Sequence, residues 1–184
     1  MQVLGISGSP RKDANTDTLV RQVLEGCASA GAGTRLVRLN DLRIGGCQGC
    51  HHCQQHRRCR LDDDMIRLYE EVFTADAVVL GSPIYMWQMS GQTKIFCDRL
   101  LPVMNPDFST RFPSPKKMIL VFTQGNTDTG AFRPYIDQTA QSLGFLGFDV
   151  REILIAGGTA EPGDVRTQTA VMDRALAAGA ALVR

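Results

Sequence analysis

Along this chain, short apolar runs alternate with stretches whose apolar residues return every three or four positions, the periods of buried strands and amphipathic helices. Gln2 to Ile6 predicts a buried strand, and a loop rich in Gly, Ser, Asn and Thr follows from Ser7 to Thr18. Leu19, Val20, Val23, Leu24 and Cys27 fall at helical spacing, with Gly31 and Gly33 ending that helix. Thr34 to Leu39 predicts a second strand, and Asp41 to Arg60 an irregular, cysteine-rich stretch. Asp62, Asp63 and Asp64 open the next helix, where negative charge is favoured; its apolar face is Met65, Ile66, Tyr69, Val72 and Phe73. A third strand (Ala77 to Leu80), a loop (Gly81 to Ser90) and a helix carrying Ile95, Phe96, Leu100 and Leu101 come next. Met118 to Phe122 predicts the fourth strand, Thr123 to Thr129 a polar loop, and Ala131 to Leu143 a helix. Val150 to Ile155 predicts a fifth strand, and an Ala-rich helix runs from about Asp164 to Val183.

Strand and helix alternating five times predict an α/β fold, a parallel sheet covered on both faces by helices. The count fits a flavodoxin-like, doubly wound five-stranded sheet of order 2-1-3-4-5. No repeat or low-complexity linker interrupts the pattern, so residues 1–184 are expected to form one domain with a cysteine-rich insertion at about 45–61. The stretch Pro102 to Pro115 reads as an excursion between helix and strand, suited to an oligomer contact.

A chain of 184 residues can build a core without staples, and 43% hydrophobic with 21% charged residues is ordinary for a soluble globular protein. A net charge of +1 gives no reason to expect a nucleic-acid partner. No apolar run approaches the ~20 residues of a membrane helix, and no basic-then-apolar leader precedes the first strand. The expectation is a cytoplasmic protein.

In open α/β sheets, ligands bind beyond the carboxyl ends of the strands. Three loops leave from that edge. The first, Gly5 to Thr16, offers small hydroxyl residues and backbone N–H groups at a helix N-terminus, the chemistry of a phosphate cradle. Ser7, Ser9, Asn15 and Thr16 supply side-chain donors, and Arg11 supplies charge. It is neither G-x-G-x-x-G nor G-x-x-x-x-G-K-[ST], which disfavours dinucleotide and nucleoside triphosphate sites of those types. Its plainer reading is a polar turn with Asn15 or Thr16 capping the helix. The second loop, Gly81 to Ser90, sets Trp87 beside Ile84, Tyr85 and Met86, a surface for one side of a flat aromatic ring. Met86 and Trp87 read equally well as core or subunit-contact residues, and Ser90 as a helix cap. The third, Thr123 to Thr127, offers Gln124 as a polar partner and Gly125 for close backbone approach.

Gly5-Ile6-Ser7-Gly8-Ser9-Pro10-Arg11 with Asn15-Thr16, then Gly81-Ser82-Pro83-Ile84-Tyr85 and Lys94, Phe96, Asp98 and Arg99, resembles the NADPH-dependent FMN reductase family. The resemblance runs from Met1 to about Leu101 and more loosely beyond. It implies a flavodoxin-like fold that binds FMN, with the phosphate at Ser7, Ser9, Pro10, Arg11, Asn15 and Thr16. It implies the isoalloxazine against Pro83, Ile84, Tyr85, Met86 and Trp87, with Gln124 and Gly125 contributing less. It further implies NAD(P)H as a co-substrate, a small-molecule or protein electron donor or acceptor, and a homodimer or homotetramer.

Of six cysteines, Cys47, Cys50, Cys53 and Cys59 fall within thirteen residues as C-x2-C-x2-C-x5-C. Clustering in an intracellular chain points to metal or redox chemistry rather than a disulfide framework. Structural zinc favours two C-x2-C pairs with a longer spacer, whereas this run looks like a [4Fe–4S] ligand set, its charge offset by Arg57, Arg58 and Arg60. The motif resembles the iron–sulfur flavoprotein branch of the same family. A cluster, a metal-free redox-active thiol loop and a zinc site, with His56 as an added ligand, all remain open at this point. Cys27 and Cys97 read as packed residues. The leading expectation is an FMN-dependent electron-transfer oxidoreductase coupling FMN to a cluster. The alternatives are a cluster-free NAD(P)H-dependent FMN or quinone reductase, and a non-enzymatic carrier or zinc-stabilised interaction domain.

Overall fold

A computed structural model describes residues Met1–Arg184. Five parallel strands form the sheet in the order β2-β1-β3-β5-β6. They are β1 (Gln2–Ser7), β2 (Gly33–Arg38), β3 (Ala77–Tyr85), β5 (Lys116–Thr123) and β6 (Phe148–Ala156). The two-residue β4 (Gln88–Met89) pairs antiparallel with the end of β3, a sixth strand that the apolar pattern does not announce. The five-stranded parallel order is the predicted one.

Strand side chains alternate between the two faces, which is why the central strands are apolar throughout. Leu4, Ile6, Val78, Leu80, Met118 and Leu120 face a core closed by α3 (Met65–Thr74), α4 (Gly91–Asp98) and α5 (Arg133–Phe145). Val3, Ala77, Val79, Ile119 and Val121 face the opposite core, closed by α1 (Asn15–Ser29) and α6 (Thr169–Val183). No helix is long and apolar enough to cross a membrane.

Several boundaries differ from the sequence pattern for local reasons. β3 runs on to Tyr85 because Gly81, Ser82 and Pro83 keep pairing with Val121, Phe122 and Thr123. Thus part of the expected second loop is strand. α4 stops at Asp98, and Leu101 with Pro102 begins a 3-10 turn instead of extending it. α5 starts at Arg133 with Pro134 in its first turn, and α6 starts at Thr169 after a separate 3-10 turn, Asp164–Thr167. The cysteine-rich stretch holds a short helix, α2 (His52–His56), bounded by His51 and Arg57 in left-handed conformations.

α1 and α6 cross with their backbones almost touching. A Cβ on Gly26 would lie 2.0 Å from the Leu176 carbonyl oxygen, and one on Gly179 would lie 1.9 Å from that of Val23. Either glycine changed to alanine must push the helices apart. Gly26→Ala and Gly179→Ala should each lower stability by about 1–3 kcal/mol, seen as a reduced urea midpoint. Unchanged midpoints in both would show that the helices part freely.

Candidate functional site

The first strand-end loop is held from beneath. Asp17 lies fully buried in the first turn of α1. Its carboxylate accepts the Ser7 hydroxyl at 2.5 Å, the Asp13 N–H at 2.9 Å and Arg38 Nε at 2.8 Å. Burial opposes the charge of Arg38, but Asp17 and then Asp41 outweigh it and hold the guanidinium above its ordinary pKa. The Ser7 side chain is therefore committed to Asp17 under the loop rather than to its open face. Ser9 Oγ donates to the Arg11 carbonyl and accepts the Arg11 N–H, closing the turn at Pro10.

Neither Asn15 nor Thr16 caps α1. Ala14 occupies the N-cap position, with no side chain bonded to the first N–H groups. A fifteen-residue helix left without a side-chain cap presents a positive terminus and orphan donors. Thr16 Oγ1 instead pairs with Thr123 Oγ1 at 2.7 Å, tying the first loop to the third. Asn15 reaches across to the loop after β6. Its amide nitrogen donates to the carbonyls of Thr159 and Glu161, and its oxygen accepts the N–H groups of Gly163 and Val165.

That fourth loop was missed from the sequence. Thr159 and Ala160 line the cavity, and Arg11 Nη1 donates to the Ala160 carbonyl at 2.9 Å. The signal was present in Gly157-Gly158-Thr159-Ala160-Glu161-Pro162-Gly163, a breaker-rich segment at the carboxyl end of the fifth parallel strand.

Together the four loops enclose an open cavity of about 300 Å³. Of the predicted residues, Ser9, Arg11, Asn15, Thr16, Pro83, Ile84, Tyr85, Gln124 and Gly125 line it, joined by Ala14, Thr123, Thr159 and Ala160. Ser7, Pro10, Met86 and Trp87 do not. One end is cationic and rich in N–H donors; the other carries Pro83, Ile84 and Tyr85. Gln124 is buried, and its amide nitrogen faces the carbonyls of Asn126 and Asp128, which fixes the amide orientation. Its Oε1 is left buried without a protein partner, an acceptor suited to a donor on a bound molecule.

The second loop is a hairpin. Tyr85 pairs with Gln88, and the two central residues, Met86 and Trp87, both have positive φ, 46° and 68°. This is the turn that favours Asn-Gly, occupied here by two bulky residues. They are 80% and 65% exposed, so this tip is neither core nor cavity lining. Ser90 caps α4 as predicted, accepting the Thr93 N–H, and its hydroxyl donates to the Gly8 carbonyl at 2.7 Å.

The four clustered cysteines share one loop but not one environment. Cys47 and Cys50 are exposed, Cys59 is half-buried and Cys53 is buried. Burial first, then the neighbouring Cys59, Cys47 and Cys50 thiols, push Cys53 above its ordinary pKa, so all four lie within electrostatic reach. No three His, Cys, Asp or Glu side chains stand in the geometry of a metal site. His52 and His56 stack on each other, with ring centroids 4.1 Å apart. Burial pushes the thiols of Cys27 and Cys97 up to about 11 and about 12.

The strained hairpin tip is testable. Left-handed backbone costs an ordinary residue about 1–2 kcal/mol. Replacing Met86-Trp87 with Asn-Gly should stabilise the protein by about 1 kcal/mol and raise Tm by about 2–4 °C. An unchanged or lower Tm would show that the turn stores no strain.

Comparison with known proteins bears on this site. An iron–sulfur flavoprotein from Methanocaldococcus jannaschii is 39% identical over 103 residues, 56% of this chain and 53% of that protein. One from Methanosarcina thermophila is 32% identical over 111 residues, 60% and 58% of the two chains. The chain thus spans about half the length of the curated relatives it matches. Among solved structures, an NAD(P)H:quinone oxidoreductase from Methanothermobacter marburgensis superposes with a TM-score of 0.76 at 20% identity, covering 100% of this chain and 98% of that one. An FMN-dependent NADH-azoreductase from Bacillus anthracis, solved with FMN, gives 0.74 at 14% identity over the whole of both chains. Since the sequence profile described as NADPH-dependent FMN reductase matches residues 1–148, most of the chain, this protein belongs to that family.

Proposed function

We propose that this chain is an FMN-dependent oxidoreductase whose cysteine loop holds a [4Fe–4S] cluster. The observation that carries the FMN reading is the uncapped N-terminus of α1 opening into the four-loop cavity. The phosphate is assigned to the first turn of α1 with Ser9, Arg11 and Thr16, where helix N–H groups and a guanidinium favour an anion. The ring is assigned to Pro83, Ile84 and Tyr85, with Gln124 Oε1 accepting from the cofactor and Gly125 leaving room for close approach.

FMN supplies transfer of two electrons as hydride or of one electron at a time, and a [4Fe–4S] cluster supplies one-electron transfer. The chain binds, orients and shields. Asn15 fixes the fourth wall, and Asp17 fixes the first. NAD(P)H is the proposed hydride donor, and a small quinone-like molecule or a protein carrier the partner. The exposed Met86–Trp87 tip supports assembly into a homodimer or homotetramer.

The cluster reading is supported by the C-x2-C-x2-C-x5-C spacing and by relatives named iron–sulfur flavoproteins. The thiols are not gathered around a single point, as a tetrahedral zinc ion requires. Cys47, Cys50, Cys53 and Cys59 would hold the cluster, which would supply one-electron transfer. The same lack of a gathered metal geometry favours the second reading, a reductase that uses FMN alone.

Two measurements test the site and separate these readings. Asn15→Ala and Ser9→Ala should each weaken FMN binding at least about tenfold in a fluorescence titration, since each removes one or more hydrogen bonds of a cavity wall. Unchanged affinity in both would sink the site assignment. Anaerobic purification should yield one FMN and about four irons per chain, with a reduced-cluster EPR signal lost in Cys50→Ser. A yellow, iron-free protein that oxidises NAD(P)H with a quinone acceptor would establish the cluster-free reductase instead.

A further inference from the structure

We propose that Arg99 is the positioning residue of the cysteine loop: through Asp63 it ties the loop's two feet together and to the end of α4. Its role toward a cluster rests on the reading above; the clamp itself does not.

Arg99 is the C-cap of α4 and is only 1% exposed at its side chain, with Asp63 at 15%. The pair is bidentate: Nη1 meets Asp63 Oδ2 at 2.7 Å, and Nη2 meets Oδ1 at 2.9 Å. Nη1 also donates to the Gly45 carbonyl at 2.6 Å, while the Gly45 N–H donates to Asp63 Oδ2 at 2.9 Å. Gly45 and Asp63 are the two feet of the loop carrying all four cysteines, and the ion pair between Arg99 and Asp63 satisfies both backbone groups of Gly45. Beside them, Asp64 accepts the Arg43 N–H and donates its own N–H to the Arg43 carbonyl. Tyr69 Oη donates to the Arg99 carbonyl at 2.5 Å, fixing the helix end that carries the guanidinium.

The middle of the loop is gripped separately. Arg111 donates to the carbonyls of Pro102 and Cys53, and Gln54 reaches the carbonyls of Leu101 and Met104. Held at its feet and its middle, the loop keeps Cys53 buried while Cys47 and Cys50 stay exposed. The other end of α4 is Ser90, bonded to Gly8 in the first cavity loop. Eight residues of helix, about 12 Å, therefore join the cavity to the clamp. A charge buried this deeply is costly unless paired and hydrogen-bonded. Here two of its hydrogen bonds go to the Asp63 carboxylate and one to the Gly45 carbonyl, while its buried Nε has no protein partner.

The test is alkylation of FMN-loaded, iron-free full-length protein by N-ethylmaleimide, read cysteine by cysteine by mass spectrometry. Arg99→Lys keeps the charge and loses the fork. Asp63→Leu with Arg99→Met fills the space without hydrogen bonds, a replacement that buried ion pairs often tolerate. In both, labelling of Cys53 should rise about tenfold or more while FMN affinity stays within about twofold and Cys27 stays unlabelled, the pattern of local opening. Cys53 labelling at the parent rate in both variants overturns the clamp, as does Cys27 labelling in step with Cys53. Iron loss to a chelator from reconstituted protein is read separately, and should be about tenfold faster in Arg99→Lys. Equal iron retention overturns the role of Arg99 toward the cluster. Parent protein that takes up no iron overturns the cluster reading alone, since the labelling result stands without it.

Discussion

The first wall of the cavity depends on a carboxylate that never reaches it. Asp17 is fully buried, and it collects the Ser7 hydroxyl, the Asp13 N–H and the Arg38 guanidinium beneath the first loop. Without a partner such a charge would be expelled or neutralised; with three donors around it, the carboxylate becomes an anchor. Because the loop is pinned from below, Ser9 and Arg11 on its upper side line the cavity. Polar residues in one short loop thus divide into those that hold it and those it displays.

The second buried ion pair repeats this logic at the cysteine loop. Asp63 and Arg99 also satisfy backbone groups of a segment without regular structure, and both pairs have an arginine bridging from a neighbouring element. A buried pair of this kind contributes little net stability over apolar packing. What it supplies is one defined loop geometry where hydrophobic side chains would allow several. α4 connects the two regions, through Ser90 at one end and Arg99 at the other.

Much of this was legible from residue order. Strand and helix periods revealed the parallel sheet, because apolar side chains must point to both covered faces, and the number of elements fitted the doubly wound strand order. The loops after the first, third and fourth parallel strands were recognisable by composition. The fourth carries only breakers, Gly157, Gly158, Pro162 and Gly163, as its signal; its importance comes from Asn15, which contacts Gly163 from 148 positions away. Nor could composition separate Ser7 from Ser9, or show that Met86 and Trp87 form an exposed hairpin tip. Those outcomes depend on which neighbour each side chain meets.

The sequence by itself determined the α/β architecture, the sheet edge at which the cavity loops gather and the cysteine spacing, because these follow from periodicity, strand direction and residue chemistry within short windows. Only the tertiary structure decided which polar groups remain free. Asn15 is drawn into the fourth loop, Asp17 and Arg38 into a buried pair, and Gly45 and Asp63 onto Arg99. The physical reason is that hydrogen-bond satisfaction is settled across the whole molecule: a donor's role depends on the acceptors that folding brings within reach, and these lie far apart along the chain.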